Sequence, residues 1–377
     1  SWELSAIPIF LMMGEVMLRS DITKRLFVGL APWVNRIPGR LLHVNVLGSA
    51  LFAAVCGSST ATTATIARIN LPELTKRGYN QNMAIGSIAG AGGLGIMIPP
   101  SLSLIVYGFL AEVSVARLFA AGLVPGLLIV CIFSGYIAIS ALLRPEIAPA
   151  VEEEYSFADR LNGILGLLPV VILIVCILGA IYGGYATPSE SAAVGLAGAL
   201  AISLVTRQLT LARFFDAVKS TIATTSMILS IVIAASFLSS TLGYLHIPQQ
   251  IGRGIQAMSL SPLMLMVVIT CFYLVLGLFL EGVSILVLSL PITLPLVVAA
   301  GFDKIWFGIY LVILIEIAML TPPVGFNLFV MQGMSGWTLG QVARATMPFF
   351  LLMILSAFIL ILVPDIPLWL PNFLFNH

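Results

Sequence analysis

The sequence predicts an all-α polytopic membrane protein with two related halves, each containing a helix broken inside an apolar block. Three observations predict it. First, 60% of the 377 residues are apolar and only 9% are charged, with a mean hydropathy of +1.11. A soluble domain carries roughly 25% charged residues, and so few charges cannot clothe a surface of this size in water. Second, segments such as 123–143 and 163–182 are apolar on every face. They lack the alternation of a membrane β-strand, so helices are the spanning elements. Third, proline and glycine landmarks recur at a fixed offset.

The apolar runs fall at 4–18, 41–57, 83–98, 102–111, 119–143, 163–182, 190–206, 221–245, 257–280, 283–300, 305–320, 324–333 and 346–364. A full crossing takes about 20 residues at about 1.5 Å each. The runs across 83–111 and 305–333 therefore read as crossings interrupted midway, and 41–67 and 257–298 as hairpins that enter and leave on one side. The connecting segment 19–40 holds Arg19, Lys24, Arg25, Arg36 and Arg40 against Asp21, which places it in the cytoplasm. Segment 207–219, with Arg207, Arg213 and Lys219 against Asp216, points the same way more weakly. Residues 146–162 form a polar linker whose Glu152-Glu153-Glu154 run reads as a solvated loop. It divides the chain into a first half, 1–145, and a second half, 163–377.

Pro72, Gly78-Tyr79 and Pro99-Pro100 recur as Pro295, Gly301-Phe302 and Pro322-Pro323, all at an offset of 223 residues. Proline lacks an N–H and clashes with the preceding turn, so each Pro-Pro pair must interrupt its helix. Broken segments at corresponding places in two halves are the best sequence pointer to a transporter's binding site.

Four breaks then carry the chemistry. The first, Cys56-Gly57-Ser58-Ser59-Thr60 and the Thr-rich stretch to Thr65, is dense in small hydroxyl residues. Glycine lets the backbone turn and approach a ligand, and Ser58, Ser59 and Thr60 offer oxygens to an ion or hydroxyls to a carboxylate. The later threonines serve equally well as packing residues. The second break is Gly90 to Ser101, with four glycines and two prolines in twelve residues. Unwinding there frees carbonyls that need a partner at membrane depth, and Na⁺ is a suitable one. The helix that starts near Ser101 points its N–H groups at the same region and favours an anion. The third break is Leu280-Glu281-Gly282. The fourth is Thr321 to Asn327, where Thr321, Gly325 and Asn327 are ligand candidates by the same logic. Glu281 and Glu316 lie inside apolar blocks; each must be paired, neutral or facing water.

Other function classes find little support. No Lys/Arg cluster suits a nucleic-acid backbone, and no phosphate-binding loop suits ATP hydrolysis. Gly90 to Gly95 lacks the strand and downstream acid of a dinucleotide site. Cys56, Cys131, Cys176 and Cys271 are spaced neither for metal nor for disulfides and read as small buried hydrophobes. His43, His246 and His377 are scattered, with His43 read as a helix-end or packing residue, and no catalytic set emerges. A channel or scaffold subunit, or a carboxylate carrier that works alone, shares some of these features. The doubled and broken topology favours alternating access over the former.

The motifs together resemble the large membrane subunit of TRAP transporters, the tripartite ATP-independent periplasmic family. The resemblance runs through Ala6-Ile7-Pro8-Ile9-Phe10, His43-Val44-Asn45-Val46, Cys56-Gly57-Ser58-Ser59, Pro72-Glu73 with Arg77-Gly78-Tyr79, and Gly95-Ile96-Met97-Ile98-Pro99-Pro100-Ser101. It continues through Leu118-Phe119-Ala120-Ala121-Gly122, Ala186-Thr187-Pro188-Ser189-Glu190-Ser191, Thr321-Pro322-Pro323-Val324-Gly325 and Pro367-Leu368-Trp369-Leu370-Pro371, covering essentially the whole chain. It implies an elevator-type transporter with inverted structural repeats, re-entrant hairpins and broken helices in a bacterial or archaeal cytoplasmic (inner) membrane. It also implies Na⁺-driven uptake of an organic acid, such as a C4-dicarboxylate, sialic acid or another sugar or keto acid. The implied partners are a small four-helix membrane subunit, separate or fused, and a soluble periplasmic substrate-binding protein. Carried over to this chain, the ion ligands implied are Gly57, Ser58, Gly95, Pro99, Pro100, Ser101, Gly282, Thr321, Pro323 and Gly325, with Pro322 beside them. The substrate ligands are Ser58, Ser59, Thr60, Ser101 and Asn327. Two departures stand out. Many family members have an Asp soon after the first Gly-Ser motif, where this chain has Thr60 to Thr65 and no acid. Family members also carry further hydrophobic sequence ahead of the Ala-Ile-Pro segment, so scaffold helices are expected before Ser1.

Overall fold

The computed structural model of the chain describes residues 2–20, 22–149, 155–245, 250 and 261–375, and every regular element among them is helical. A 3-10 turn leads into α1 (Ala6–Leu18), α2 (Ile22–Val34), α3 (Leu42–Cys56), α4 (Ser59–Lys76), α5 (Gln81–Gly92), α6 (Leu94–Met97), α7 (Leu102–Ala111) and α8 (Val115–Leu143). Beyond a second 3-10 turn come α9 (Phe157–Tyr182), α10 (Pro188–Val205) and α11 (Leu211–Tyr244). The rest of the described chain forms α12 (Pro262–Leu276), α13 (Gly282–Ala299), α14 (Lys304–Met319), α15 (Phe326–Ser335), α16 (Leu339–Leu362) and α17 (Asp365–Phe375). Six of these, α8, α9, α10, α11, α13 and α16, are long and apolar enough to cross a membrane, and Gln81–Met97 meets α7 at a 42° bend, the geometry of a broken span or a re-entrant loop.

The element boundaries recur at the same 223-residue offset as the landmarks. The arm Ser59–Lys76 and the arm Gly282–Ala299 are both 18 residues long and begin 223 positions apart, as do Gln81 and Lys304 at the starts of α5 and α14. Each set runs in the order hairpin, broken helix, long helix: α3–α4, α5–α7 and α8, then α12–α13, α14–α15 and α16.

α5 and α14 lie at the centre. From Met83 to Gly92 and from Trp306 to Met319 every residue is buried, so both helices are apolar on all faces because protein covers all faces. Between apolar helices in lipid, close van der Waals contact replaces the hydrophobic effect as the driving force, and small residues allow it. A Cβ on Gly86 would lie 2.2 Å from the Ala345 carbonyl oxygen, and one on Gly277 would lie 2.2 Å from the Ala318 Cβ. Buried polar groups then tie the hairpins internally. Asn70 Nδ2 donates to Asn45 Oδ1 (2.7 Å), and Asn45 Nδ2 to Ser87 Oγ (2.8 Å), joining both arms of the first hairpin to α5. In the second hairpin, Ser289 Oγ donates to Tyr273 Oη (2.7 Å), which lies 2.9 Å from Thr293 Oγ1. On the outside, Phe157, Leu161, Leu165, Leu168, Ile172 and Val175 make one exposed apolar stripe along α9, the face a bilayer covers.

Several expectations need correction. The connecting segment 19–40 contains α2. Leu26, Phe27, Leu30 and Val34 bury one face while Lys24 and Arg25 stay exposed, so the charges mask an amphipathic helix. Segment 207–219 is mostly the start of α11. The polar stretch 146–162 already contains the start of α9, nucleated by a capping box in which Ser156 and Asp159 satisfy each other's backbone N–H groups. Glu152-Glu153-Glu154, His246 and His377 lie outside the described residues. Of the cysteines only Cys56 is buried; Cys131, Cys176 and Cys271 are exposed, and all four are free. The three exposed thiols sit on outward faces of apolar helices. Finally, Gly90 to Gly92 remain helical, and the helix is interrupted first by a turn at Gly93 and then at Ile98 to Ser101. The glycines there serve close packing: a Cβ on Gly90 would meet Phe349 at 2.6 Å.

Replacing Gly86 by Val therefore forces two backbones apart and should cost about 1–3 kcal/mol, the scale of overpacking, read as a lower melting temperature of the detergent-solubilised protein. Gly333→Ala, in open space on an exposed face of α15, should leave the melting temperature unchanged or raise it.

Candidate functional site

Three of the four breaks line one cavity of about 290 Å³, and the helix that leads into the fourth lines it too. Its wall takes Cys56, Gly57, Ser58, Ser59, Thr60 and Ala61 from the first hairpin tip, and Glu281, Gly282 and Val283 from the second. The first helix break contributes Ile96, Leu102 and Ser103, and the end of α14 contributes Glu316 and Met319. The remainder of the wall comes from α1, through Leu11, Gly14, Glu15 and Leu18, and from α11, through Thr224, Met227 and Ile228.

The first tip turns sharply because Gly57 adopts a left-handed conformation (φ +63°), which a side chain with a Cβ resists. Ser58 caps the next helix, its Oγ accepting from the Ala61 N–H at 3.4 Å. Thr60 Oγ1 is 3.3 Å from Ser58 Oγ. Thr62 and Thr63 are buried and donate back to the carbonyls of Ser58 and Ser59, so these two are packing residues. The tip is pressed against the first break: a Cβ on Gly95 would lie 2.6 Å from the Ser58 carbonyl oxygen, and one on Gly57 would lie 3.6 Å from that of Pro100.

At the first break, Ser101 closes the gap between α6 and α7. Its hydroxyl donates to the Ile96 carbonyl (2.5 Å) and accepts from the Leu104 N–H (3.4 Å), so one side chain caps both broken ends. At the fourth break, α14 ends at Met319 and α15 begins at Phe326. Thr321 Oγ1 donates to the Ile317 carbonyl (2.8 Å), and the Gly325 N–H to Thr321 (2.9 Å). Gly325 is seated against the carbonyl of Met319, where a Cβ would come within 2.5 Å. The peptide bonds Pro99-Pro100 and Pro322-Pro323 are both cis.

Of the residues singled out in the sequence, Gly57, Ser58, Ser59, Thr60 and Gly282 line the cavity directly. Gly95 and Pro100 back the first tip, and Asn327 reaches the wall through Ser59 (Nδ2 to Oγ, 2.8 Å). Pro99, Ser101, Thr321, Pro322, Pro323 and Gly325 are outside its lining, and Pro323 is exposed. Sequence reasoning missed Glu15, Ser103 and Thr224. Glu15 is an acid inside an apolar run and was findable on that ground; the other two carry no local signal.

Two opposing fields meet in the cavity. The N-termini of α4, α7 and α13 abut it, and their N–H groups favour an anion. Its acidic side chains are Glu15, Glu281 and Glu316, and no Lys, Arg or His lines it among the described residues. Glu15 pairs with Arg19, whose Nη2 also donates to Ser220 Oγ (2.7 Å), and Glu281 Oε1 accepts from Ser284 Oγ (3.4 Å). Glu316 Oε2 accepts from Ser59 Oγ (3.0 Å). Carboxyls beside helix N-termini can hold a cation and an anion side by side. No cluster of three His, Cys, Asp or Glu side chains of the kind that holds a metal occurs among the described residues.

Helices interrupted inside apolar segments and gathered around one cavity define a multi-pass membrane transport protein. Residues 1–366 match the family described as the tripartite ATP-independent periplasmic transporter, DctM component, and the chain belongs to that family. It is 36% identical over 375 residues to the C4-dicarboxylate TRAP transporter large permease protein DctM of Pseudomonas aeruginosa, covering 99% of this chain and 87% of that one. It is 31% identical over 375 residues to the ectoine/5-hydroxyectoine TRAP transporter large permease protein UehC of Ruegeria pomeroyi, covering 99% and 87%. In fold it is similar to the crystal structure of the Alcanivorax borkumensis YdaH transporter, with a TM-score of 0.65 at 12% identity over 97% of this chain and 85% of that one.

Gly57→Val places a β-branched side chain in a left-handed backbone position at the tip, a strain of about 1–3 kcal/mol. Transport is expected to fall at least tenfold while the protein still folds, checked by uptake beside a melting curve. Ser101→Ala leaves the Ile96 carbonyl without its donor and α7 without its cap, and should cost about 1–3 kcal/mol of stability by the same melting assay.

Proposed function

We propose that this chain is the transport subunit of a sodium-coupled importer of an organic acid, taking its substrate from a soluble periplasmic binding protein and working beside a small four-helix membrane subunit, separate or fused. The single observation that carries the reading is the cavity lined by both hairpin tips, by the first helix break and by the end of α14 that leads into the second. Three helix N-termini suit the substrate's carboxylate, while the carboxyls and break carbonyls suit Na⁺ carried with it. The candidate substrate ligands are Ser58, Ser59 and Thr60 on the wall, with Ser101 and Asn327 holding the wall in shape. The candidate ion ligands are the backbone and hydroxyl oxygens of Gly57, Ser58, Gly95, Pro99, Pro100, Ser101, Gly282, Thr321, Pro323 and Gly325.

The proposed movement is an elevator stroke of two inverted repeats, residues 1–145 and 163–377. The placement of α5 and α14 against α16 supports the inversion. α16 is one continuous helix of 24 residues, about 36 Å long. Asn80, at the start of α5, shares a cleft with Arg344 near the N-terminal end of α16. At the start of α14, Trp306 Nε1 donates to the Leu360 carbonyl (3.2 Å) near the C-terminal end. The two corresponding helices thus enter from opposite faces and run toward the same centre. With segment 19–40 in the cytoplasm, α5 enters from the cytoplasmic side and α14 from the periplasmic side.

Uptake of radiolabelled organic acids into proteoliposomes holding the full-length subunit and its small partner tests this. Accumulation is expected only with an inward Na⁺ gradient and the binding protein both present, and Pro100→Leu should abolish it. Uptake that ignores the Na⁺ gradient would overturn the coupling, and uptake of free substrate without the binding protein would leave a carrier that works alone.

A further inference from the structure

We propose that Glu316, Asn327 and Ser59 form a monovalent-cation site in the cavity wall, with the ion held between Glu316 Oε1 and Asn327 Oδ1. The inference rests on the transport reading above and assigns one of its coupling ions to named side chains. The three residues come from three elements: Ser59 opens α4 at the first hairpin tip, Glu316 lies in the last turn of α14, and Asn327 in the first turn of α15. Their hydrogen bonds run in one direction. Asn327 Nδ2 donates to Ser59 Oγ (2.8 Å), so the Ser59 hydroxyl proton is free to go to Glu316 Oε2 (3.0 Å). That arrangement leaves two acceptors over. Glu316 Oε1 and Asn327 Oδ1 are both buried, on side chains 1% and 0% exposed, and neither has a hydrogen-bond partner among the described residues.

An orphaned buried acceptor is costly, and a buried carboxylate without a counter-charge more so. A single cation relieves both at once. The surroundings favour one. Glu15 and Glu281 face the same cavity, and among the described residues no basic side chain lines it and the guanidinium bonded to these acids is that of Arg19, on Glu15. The field therefore concentrates cations. Glu316 itself lines the cavity, which puts the site in its wall. Room for the carboxyl is made by Gly93, where a Cβ would come within 2.5 Å of Glu316 Oε2. Because the cluster joins the first hairpin tip to the broken helix of the second half, an ion bound here also ties the two halves together across the cavity.

Equilibrium binding of ²²Na⁺ to the purified full-length subunit with its small partner tests the site, with melting curves to verify folding. Glu316→Gln is expected to bind one Na⁺ fewer per subunit than the unaltered protein, and Asn327→Ala to bind its weakest Na⁺ about tenfold less tightly, the scale of one lost buried partner. In uptake assays, Glu316→Gln should also show a shallower dependence of rate on Na⁺ concentration. An unchanged Na⁺ count and affinity in Glu316→Gln overturns the site. So does an unchanged count with loss of a pH dependence of uptake, which would make Glu316 a proton carrier. If Glu316→Gln fails to fold, unchanged affinity in folded Asn327→Ala overturns it. Absence of Na⁺ binding in the unaltered protein would overturn this inference and the sodium-coupled reading together.

Discussion

A backbone carbonyl or N–H released from a helix inside a bilayer has no water to turn to, and the arrangement of this protein follows from that constraint. Each interruption is accompanied by a device that satisfies the loose ends locally. Ser101 serves both sides of the first break, Ser58 caps the helix after the first tip, and Thr321 and Gly325 close the fourth break on the last turn of α14. Irregular backbone is tolerated only where protein or a polar cavity surrounds it. That is why the two wholly buried helices, α5 and α14, are the ones that lead into breaks, while α9, α10 and α11 stay regular and present apolar faces outward. The glycines serve the same end, bringing Gly95 onto the Ser58 carbonyl and Gly325 onto that of Met319, so the breaks are clamped by close contact.

The cavity's electrostatics follow from its construction. Helices that restart beside a tip or a break point their N-termini inward, and three of them do so here. Left alone, these ends would favour anions alone. Glu15, Glu281 and Glu316 offset them, and among the described residues only Glu15 carries a guanidinium partner. Charge in this site is thus balanced between backbone dipoles and carboxyl side chains, and the described cationic side chains have little part in it. On the proposed reading, a substrate anion and its accompanying cations would each improve the other's binding.

Much of this was legible in the amino-acid sequence, and the reasons are local. The Pro-Pro pairs marked the breaks because proline's effect on a helix needs no tertiary context, and Ser101 and Gly57 announced a helix start and a turn. The boundaries of α4 and α13 recur at the offset of the proline landmarks. What escaped depends on contacts between distant residues. Ser59 meets Glu316 across 257 positions, and nothing near either residue marks the pairing. Thr224 faces the cavity only because α11 packs beside α1 and α13. α2 was hidden by its own charges, since Lys24 and Arg25 made a half-buried helix look like a loop. The three exposed cysteines misled for a related reason: an apolar setting means burial in protein for a soluble chain, and exposure to lipid on the outer face of this one.

The shortage of positive charge in the cavity also gives the resting membrane voltage a lever. A fixed charge carried across the full potential exchanges about 2.3 kcal/mol per 100 mV. With no cationic side chain among the described residues of the cavity wall, the charge that would cross on the proposed stroke is set by the cargo and by what Glu281 and Glu316 hold, so the voltage would act on what is bound more than on the protein itself.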